Sequence, residues 1–237
     1  MKALLALMLA GKLGKVLLSG GSMILSIAIY AQLYGWKYAV GFVLLLFCHE
    51  MGHYIAARQR GLLVSLPTFI PFVGAWISLK NQDLDAETQA FVGMAGPLLG
   101  STAAFLVYLT AVQDQSTWLL ALAYAGFVLN LFNLIPVVPL DGGHIVAVIS
   151  SKLWIAGVPM LIALFLWRPN PLLLIVAILA IPRAWAAFRG RLPEGSPQLT
   201  SPALKARYIA EYLGLAAFLG LMAVEVHAQL SAGGVGR

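Results

Sequence analysis

The sequence predicts an all-α polytopic membrane protein with six or seven transmembrane helices and a re-entrant or membrane-associated β-hairpin near residues 62–79. Three observations carry this. Of the 237 residues, 61% are hydrophobic and 10% charged, with a mean hydropathy of +0.89, which is far too apolar for an ordinary soluble domain. The apolar residues come in runs close to the ~20 residues a helix needs to cross a hydrocarbon core, separated by short polar connectors. One apolar run is punctuated by Gly61, Pro67, Pro71 and Gly74, which a continuous helix does not tolerate.

The first span is expected at residues 16–34, with Lys12 and Lys15 marking its cytoplasmic start. The apolar stretch before it resembles a signal peptide, but those lysines interrupt it and no A-x-A site follows, so it is read as retained. A turn at Gly35, Trp36 and Lys37 returns the chain into a second span, 38–57, closed by Arg58 and Arg60. In the Pro/Gly-rich run, the arms 62–66 and 75–79 flank the centre. Such a loop is tolerable at membrane depth only where protein covers its backbone polar groups.

After the polar connector Asn81–Glu87, a third span runs from about Ala90 to Val112. Gly93, Gly96 and Gly100 keep one side of it thin for close helix contact. A fourth helix runs from Trp118 towards Asn133, where Pro136 and Pro139 interrupt it, and Gly142 with Gly143 permits a tight turn. Residues 154–167 and 171–182 read as two thin spans or one interrupted hairpin. Residues 190–202 read as an exposed loop, 204–226 as a final span in preference to an interfacial helix, and the tail from Ser231 as disordered.

Fifteen Lys and Arg against nine Asp and Glu give a formal charge of +6. The basic residues lie in or beside connectors, the placement of the positive-inside rule, and no nucleic-acid partner is expected. The single cysteine, Cys48, excludes an internal disulfide and a multi-cysteine metal site.

The second span contains His49, Glu50 and His53 in an HExxH pattern. Helix positions four apart share a face, so both imidazoles reach one zinc ion while Glu50 lies beside the water it would deprotonate. Three ionisable residues in an apolar span are costly unless coordinated, paired or hydrated. A catalytic zinc needs a third protein ligand and an open position. Asp83, Asp85, Glu87, Asp114 and Glu194 sit in polar connectors, and His227 lies near the tail. Asp141 instead lies at a helix break between apolar stretches, where intramembrane ion sites are built. A His49, His53 and Asp141 set with water is a complete zinc shell. His144 is read as a supporting donor rather than a ligand. Asn130 and Asn133 are the amides near the break, and each suits an oxyanion donor or a cap for the interrupted helix.

These residues resemble the site-2 proteases, intramembrane zinc metalloproteases. The matches are His49-Glu50-x-x-His53, the NxxPxxxLDG pattern at Asn133, Pro136, Leu140, Asp141 and Gly142, and the Gly96-Pro97 pair between them. The resemblance covers roughly residues 38–150 and implies Zn2+ held by His49, His53 and Asp141, with acid/base duty on Glu50 and catalytic support from Asn133. It implies hydrolysis of single-span membrane proteins, often already trimmed by another protease, near the cytoplasmic side of a prokaryotic cytoplasmic membrane. Partners are then those substrates, the lipid bilayer, and a second copy or an adaptor protein.

The stretch FIPFVGAWI looks like the hairpin of bacterial and archaeal members. The chain is read as one membrane metalloprotease domain over 1–237, with its catalytic core at about 38–150 and C-terminal segments at about 154–227. No insert is long enough for a PDZ or CBS domain. Many members place an Asn a few residues after the Gly-Pro pair, where this chain has Leu98, Leu99, Gly100 and Ser101. The alternative class is a zinc-binding transporter or substrate-holding pseudoenzyme. Polar residues gathered at one depth, together with Glu50, favour the enzyme.

Overall fold

The computed structural model describes residues 2–71, 74–76, 84–190 and 200–234. Lys80, Asp83, Arg191 and Glu194 lie outside them. The elements are α1 (Lys2–Tyr34), α2 (Trp36–Gln59), β1 (Thr68–Ile70), β2 (Gly74–Trp76), α3 (Ala86–Gln113), α4 (Thr117–Asn133), α5 (Asp141–Ala147), α6 (Trp154–Trp167), α7 (Pro171–Phe188) and α8 (Pro202–Gly234). Among the described residues, α1, α2, α3, α7 and α8 are long and apolar enough to cross a membrane, and α4 and α6 are shorter, at 17 and 14 residues. The chain is an integral membrane protein, predominantly helical.

Two helix boundaries depend on glycine. Gly35, at φ +81°, separates α1 from α2, and Gly61, at φ +73°, ends α2 while the Leu62 N–H returns to the Ala57 carbonyl at 3.0 Å. The start of α3 is capped by Asp85, whose carboxylate accepts from the Thr88 N–H at 2.7 Å and the Thr88 hydroxyl at 2.9 Å. The backbone hydrogen bond holds the Asp85 carboxyl below the usual carboxylate range. The cap therefore contributes at neutral pH and fades as pH falls through that lowered pKa. Asp85→Ala is expected to cost about 1 kcal/mol, read as a lower melting temperature in detergent whose gap from wild type narrows in acid.

The core lies where α2, α3, α4 and α8 meet. It is built from Leu45, Ala90, Met94, Ala104, Ala123, Phe127, Leu215 and Leu219, with Ile145 of α5 beneath. Large apolar side chains left outside it, among them Ile24, Leu106, Ile178, Leu179 and Leu221, form the surface a bilayer would cover. α2 packs chiefly against α3, and α4 against α3 and α8.

α8 braces the break after α4. The Tyr212 hydroxyl donates to the Leu134 carbonyl and the Tyr208 hydroxyl to the Glu87 carbonyl at 3.4 Å. The Trp154 indole N–H donates to the Gly143 carbonyl at 2.8 Å from the other side. The Tyr212 bond engages a carbonyl just past the end of α4, while the other two tie the start of α3 to α8 and α5 to α6.

The first span expected at residues 16–34 corresponds to the candidate span Leu17–Tyr34, although the helix itself begins at Lys2, because lysine bounds an apolar run without ending a helix. Two other expectations change. α8 continues through residues 231–234, which the sequence reading gave to a disordered tail, and Leu230 still packs on the α4 core. Gly142 and Gly143 do not form a turn. They lie in the first turn of α5 without positive φ, and side chains there would overlap the backbone at Leu134–Ile135 and Val137–Val138. Close approach is what these glycines supply.

β1 and β2 pair antiparallel, with Phe69 opposite Ala75. The outer edge of β1 meets α1, where the Phe69 N–H donates to the Ser22 hydroxyl oxygen at 3.0 Å and the Ser19 hydroxyl donates to the Pro67 carbonyl.

Candidate metal centre

α2 carries His49 and His53 one turn apart, facing α3. The approach of the two helices is set by Gly52, where a side chain would overlap the Ala95 carbonyl, and by Gly96, where one would overlap the His53 ring. The stripe Gly93, Gly96 and Gly100 therefore forms the floor beneath the site. Gly93 faces the first turn of α5 and Gly100 faces the Asn130 amide.

Each histidine is anchored through Nδ1. His53 Nδ1 lies 2.8 Å from the Val92 carbonyl, which can only accept, so this nitrogen carries the hydrogen. His49 Nδ1 lies 2.9 Å from Asn130 Oδ1. The amide's orientation is fixed because Asn130 Nδ2 donates to the Gly126 carbonyl at 2.7 Å, so His49 Nδ1 also donates. With Nδ1 so committed, each ring turns Nε2 inward, where a neutral imidazole would present a lone pair, and these nitrogens are 3.1 Å apart.

Asp141, the first residue of α5, closes the triangle. Its Oδ2 is 3.1 Å from His49 Nε2 and its Oδ1 is 3.3 Å from His53 Nε2. One donor atom from each of the three residues falls within 4.8 Å of the others. Among the described residues, buried Asp141 Oδ2 has no hydrogen bond beyond its ion-pair approach to His49 Nε2. Two converging lone pairs and a carboxylate, largely withdrawn from water, repel one another unless a proton or a metal cation lies between them. The set suits a divalent ion that takes two imidazoles and one carboxylate.

Glu50 is buried, at 8% exposure, one position beyond His49 and within electrostatic reach of His53, His49 and Asp141. Asn133, at the end of α4, donates from Nδ2 to the Leu129 carbonyl at 3.1 Å, which leaves its second amide hydrogen uncommitted by that bond. His144 lies beside Gly93, where an added Cβ would come 3.2 Å from its own Cβ, and burial pushes its imidazole below the usual range, towards the neutral form. Asn130 carries the contact that sequence reasoning left open between a cap and an oxyanion donor. Its partner is His49, and Gly100 on α3 leaves the space the amide occupies.

Residues 37–117 and 110–160 match the model of peptidase family M50, a stretch from the start of α2 to beyond α5 that contains the whole cluster. The chain belongs to peptidase family M50. It is similar to a protein named as a zinc metalloprotease in Methanocaldococcus jannaschii, 32% identical over 123 residues that cover 48% of this chain and 35% of that one. Similarity to a protein of Synechocystis also named as a zinc metalloprotease is 36% over 156 residues, covering 60% and 39%. A chloroplastic relative from Oryza sativa, likewise named as a zinc metalloprotease, is 33% identical over 75 residues. Each match spans about two-fifths or less of the relative's own length. The M50 cluster in this chain thus combines the HExxH pair of α2 with the aspartate at the α4–α5 break.

Proposed function

We propose that this chain is a zinc-dependent intramembrane endopeptidase that hydrolyses peptide bonds of membrane-spanning proteins near the cytoplasmic side. The observation that carries the reading is the convergence of His49 Nε2, His53 Nε2 and the Asp141 carboxylate on one point in a chain of the M50 family. His49, His53 and Asp141 would hold zinc, which when bound supplies Lewis acidity that makes water a nucleophile at neutral pH and polarises a carbonyl.

Glu50 is the general base and acid. Its carboxylate accepts a proton from the attacking water and delivers one to the leaving amine. The Asn133 amide donates its second hydrogen towards the developing oxyanion. A regular substrate helix hides its carbonyls, so the substrate must unwind before reaching the site. We take β1 and β2 as the membrane-associated hairpin that receives the extended segment. With α4, whose 17 residues span about 26 Å, the fold reads as at least six crossings. The expected substrates are single-span proteins, some pre-trimmed by another protease. A second copy or an adaptor protein would assist selection.

The test uses the purified chain in liposomes with a tagged single-span peptide. Cleavage should stop on chelation and return with zinc, and a Gly or Pro near the scissile bond should raise it. Binding without turnover by the zinc-loaded protein would instead indicate a substrate-holding protein.

Ligand assignment is checked separately by metal content. Wild type should hold about one zinc per chain, Asp141→Ala should lose most of it, and His144→Ala should keep it. Equal loss in the two variants would mean that the wrong residue has been assigned.

A further inference from the structure

We infer that Asn130 is a positioning residue for the metal centre, and that Gly100 exists on α3 to admit it. The inference rests on the reading of His49 as a metal ligand. An imidazole with one nitrogen on a metal must keep its hydrogen on the other, and a fixed acceptor at that nitrogen selects both the tautomer and the ring plane. Asn130 Oδ1 is such an acceptor, 2.9 Å from His49 Nδ1.

The amide cannot present its nitrogen instead, because Nδ2 is bonded to the Gly126 carbonyl of its own helix at 2.7 Å. A side-chain oxygen with one allowed orientation thus acts on the ring that must aim Nε2 at the point it shares with His53 and Asp141. Asn130 is 1% exposed and reaches His49 across the α2–α4 interface. It occupies volume that belongs sterically to α3, since a Cβ at Gly100 would overlap Oδ1 and lie 2.9 Å from Nδ2 and 3.0 Å from Cγ.

Among the described residues, His53 Nδ1 has no equivalent side-chain partner. That nitrogen is held by the Val92 backbone carbonyl, which no side-chain substitution removes. The two ligands therefore differ in how they can be perturbed. The His49 anchor is a replaceable amide in a slot cut by a glycine, and the His53 anchor is part of α3 itself.

The experiment measures zinc affinity by chelator competition, together with the visible spectrum of the cobalt-substituted protein. Asn130→Leu keeps the volume and removes the acceptor. It should weaken zinc binding about 10- to 100-fold and alter the cobalt bands. Gly100→Ala leaves the amide in place chemically but fills its slot, and should move both readouts in the same direction. In an Asn130→Ala background the slot is empty, so adding Gly100→Ala should cost nothing further. That lack of additivity is a signature that general loosening of the bundle would not give. Wild-type affinity and spectrum in Asn130→Leu would overturn the inference, as would fully additive losses in the Gly100/Asn130 pair. If Asn130→Leu does not fold, Asn130→Ala supplies the same measurement. His49→Ala separates the two readings. Zinc held as tightly as in wild type there would refute the ligand assignment and the inference with it, whereas zinc lost there but kept in the Asn130 variants would refute the inference alone.

Discussion

Glu50→Gln should keep its zinc and lose at least about a hundredfold of its cleavage rate, the scale of a positioned general base. The substitution preserves volume and hydrogen-bonding capacity and removes only the carboxylate that accepts a proton. His49, His53 and Asp141 are untouched, so their cluster and the fold around it should persist. The effect should fall on kcat rather than KM, because Glu50 acts on the water rather than on substrate binding. A helix-destabilising residue near the scissile bond should accelerate wild type without rescuing the variant, since unwinding exposes the carbonyl while Glu50 makes the nucleophile. Near-normal turnover by Glu50→Gln, in protein free of contaminating protease, would rule out the proposed role.

Gly96→Ala should be as damaging by a different route, through metal affinity. The added methyl overlaps Nε2, Cε1 and Cδ2 of His53, and the ring cannot swing aside while its Nδ1 is bonded to the Val92 carbonyl. Either the imidazole leaves the cluster or α3 retreats from α2 and breaks the Gly52–Ala95 contact. Zinc affinity should drop by about a hundredfold or more, the upper end of the range for disturbed ligand support. Gly93→Ala is the matched control. Its methyl meets His144 Cβ at 3.2 Å, so a shift of a few tenths of an ångström would absorb it and the affinity should fall far less. Unchanged zinc binding in Gly96→Ala would mean that α3 does not pack against His53 in the way described.

The convergence of His49, His53 and Asp141 was legible because each residue announces itself locally. The histidines share a helix face by spacing, and the aspartate is a charge in an apolar environment at a proline-rich break. Helix positions were legible for the same reason, since apolar runs of spanning length leave few alternatives. What fixes the rings was not. Which atom His49 Nδ1 bonds depends on how far α4 stands from α2 and α3, and that distance is set by glycines whose facing partners a single sequence does not name. Gly142 and Gly143 were misread on the same ground, because a glycine kept for close approach and one kept for a positive φ look alike in sequence. The full length of α1 and α8 was hidden because charge marks where an apolar run stops and not where a helix does.

The two serines of α1 bear on how a substrate would be captured. Two backbone groups along the edge of β1 are already engaged by α1, the Phe69 N–H by Ser22 and the Pro67 carbonyl, just before the strand, by Ser19. An incoming strand at that edge would trade these bonds for its own instead of filling vacancies, so the exchange is close to neutral in hydrogen bonding. A bare strand edge in hydrocarbon would adhere to any frayed segment that drifted past. Under the proposed function, an edge occupied by hydroxyls would hold a chain whose side chains or weakened helix tip the balance, and would let others diffuse away.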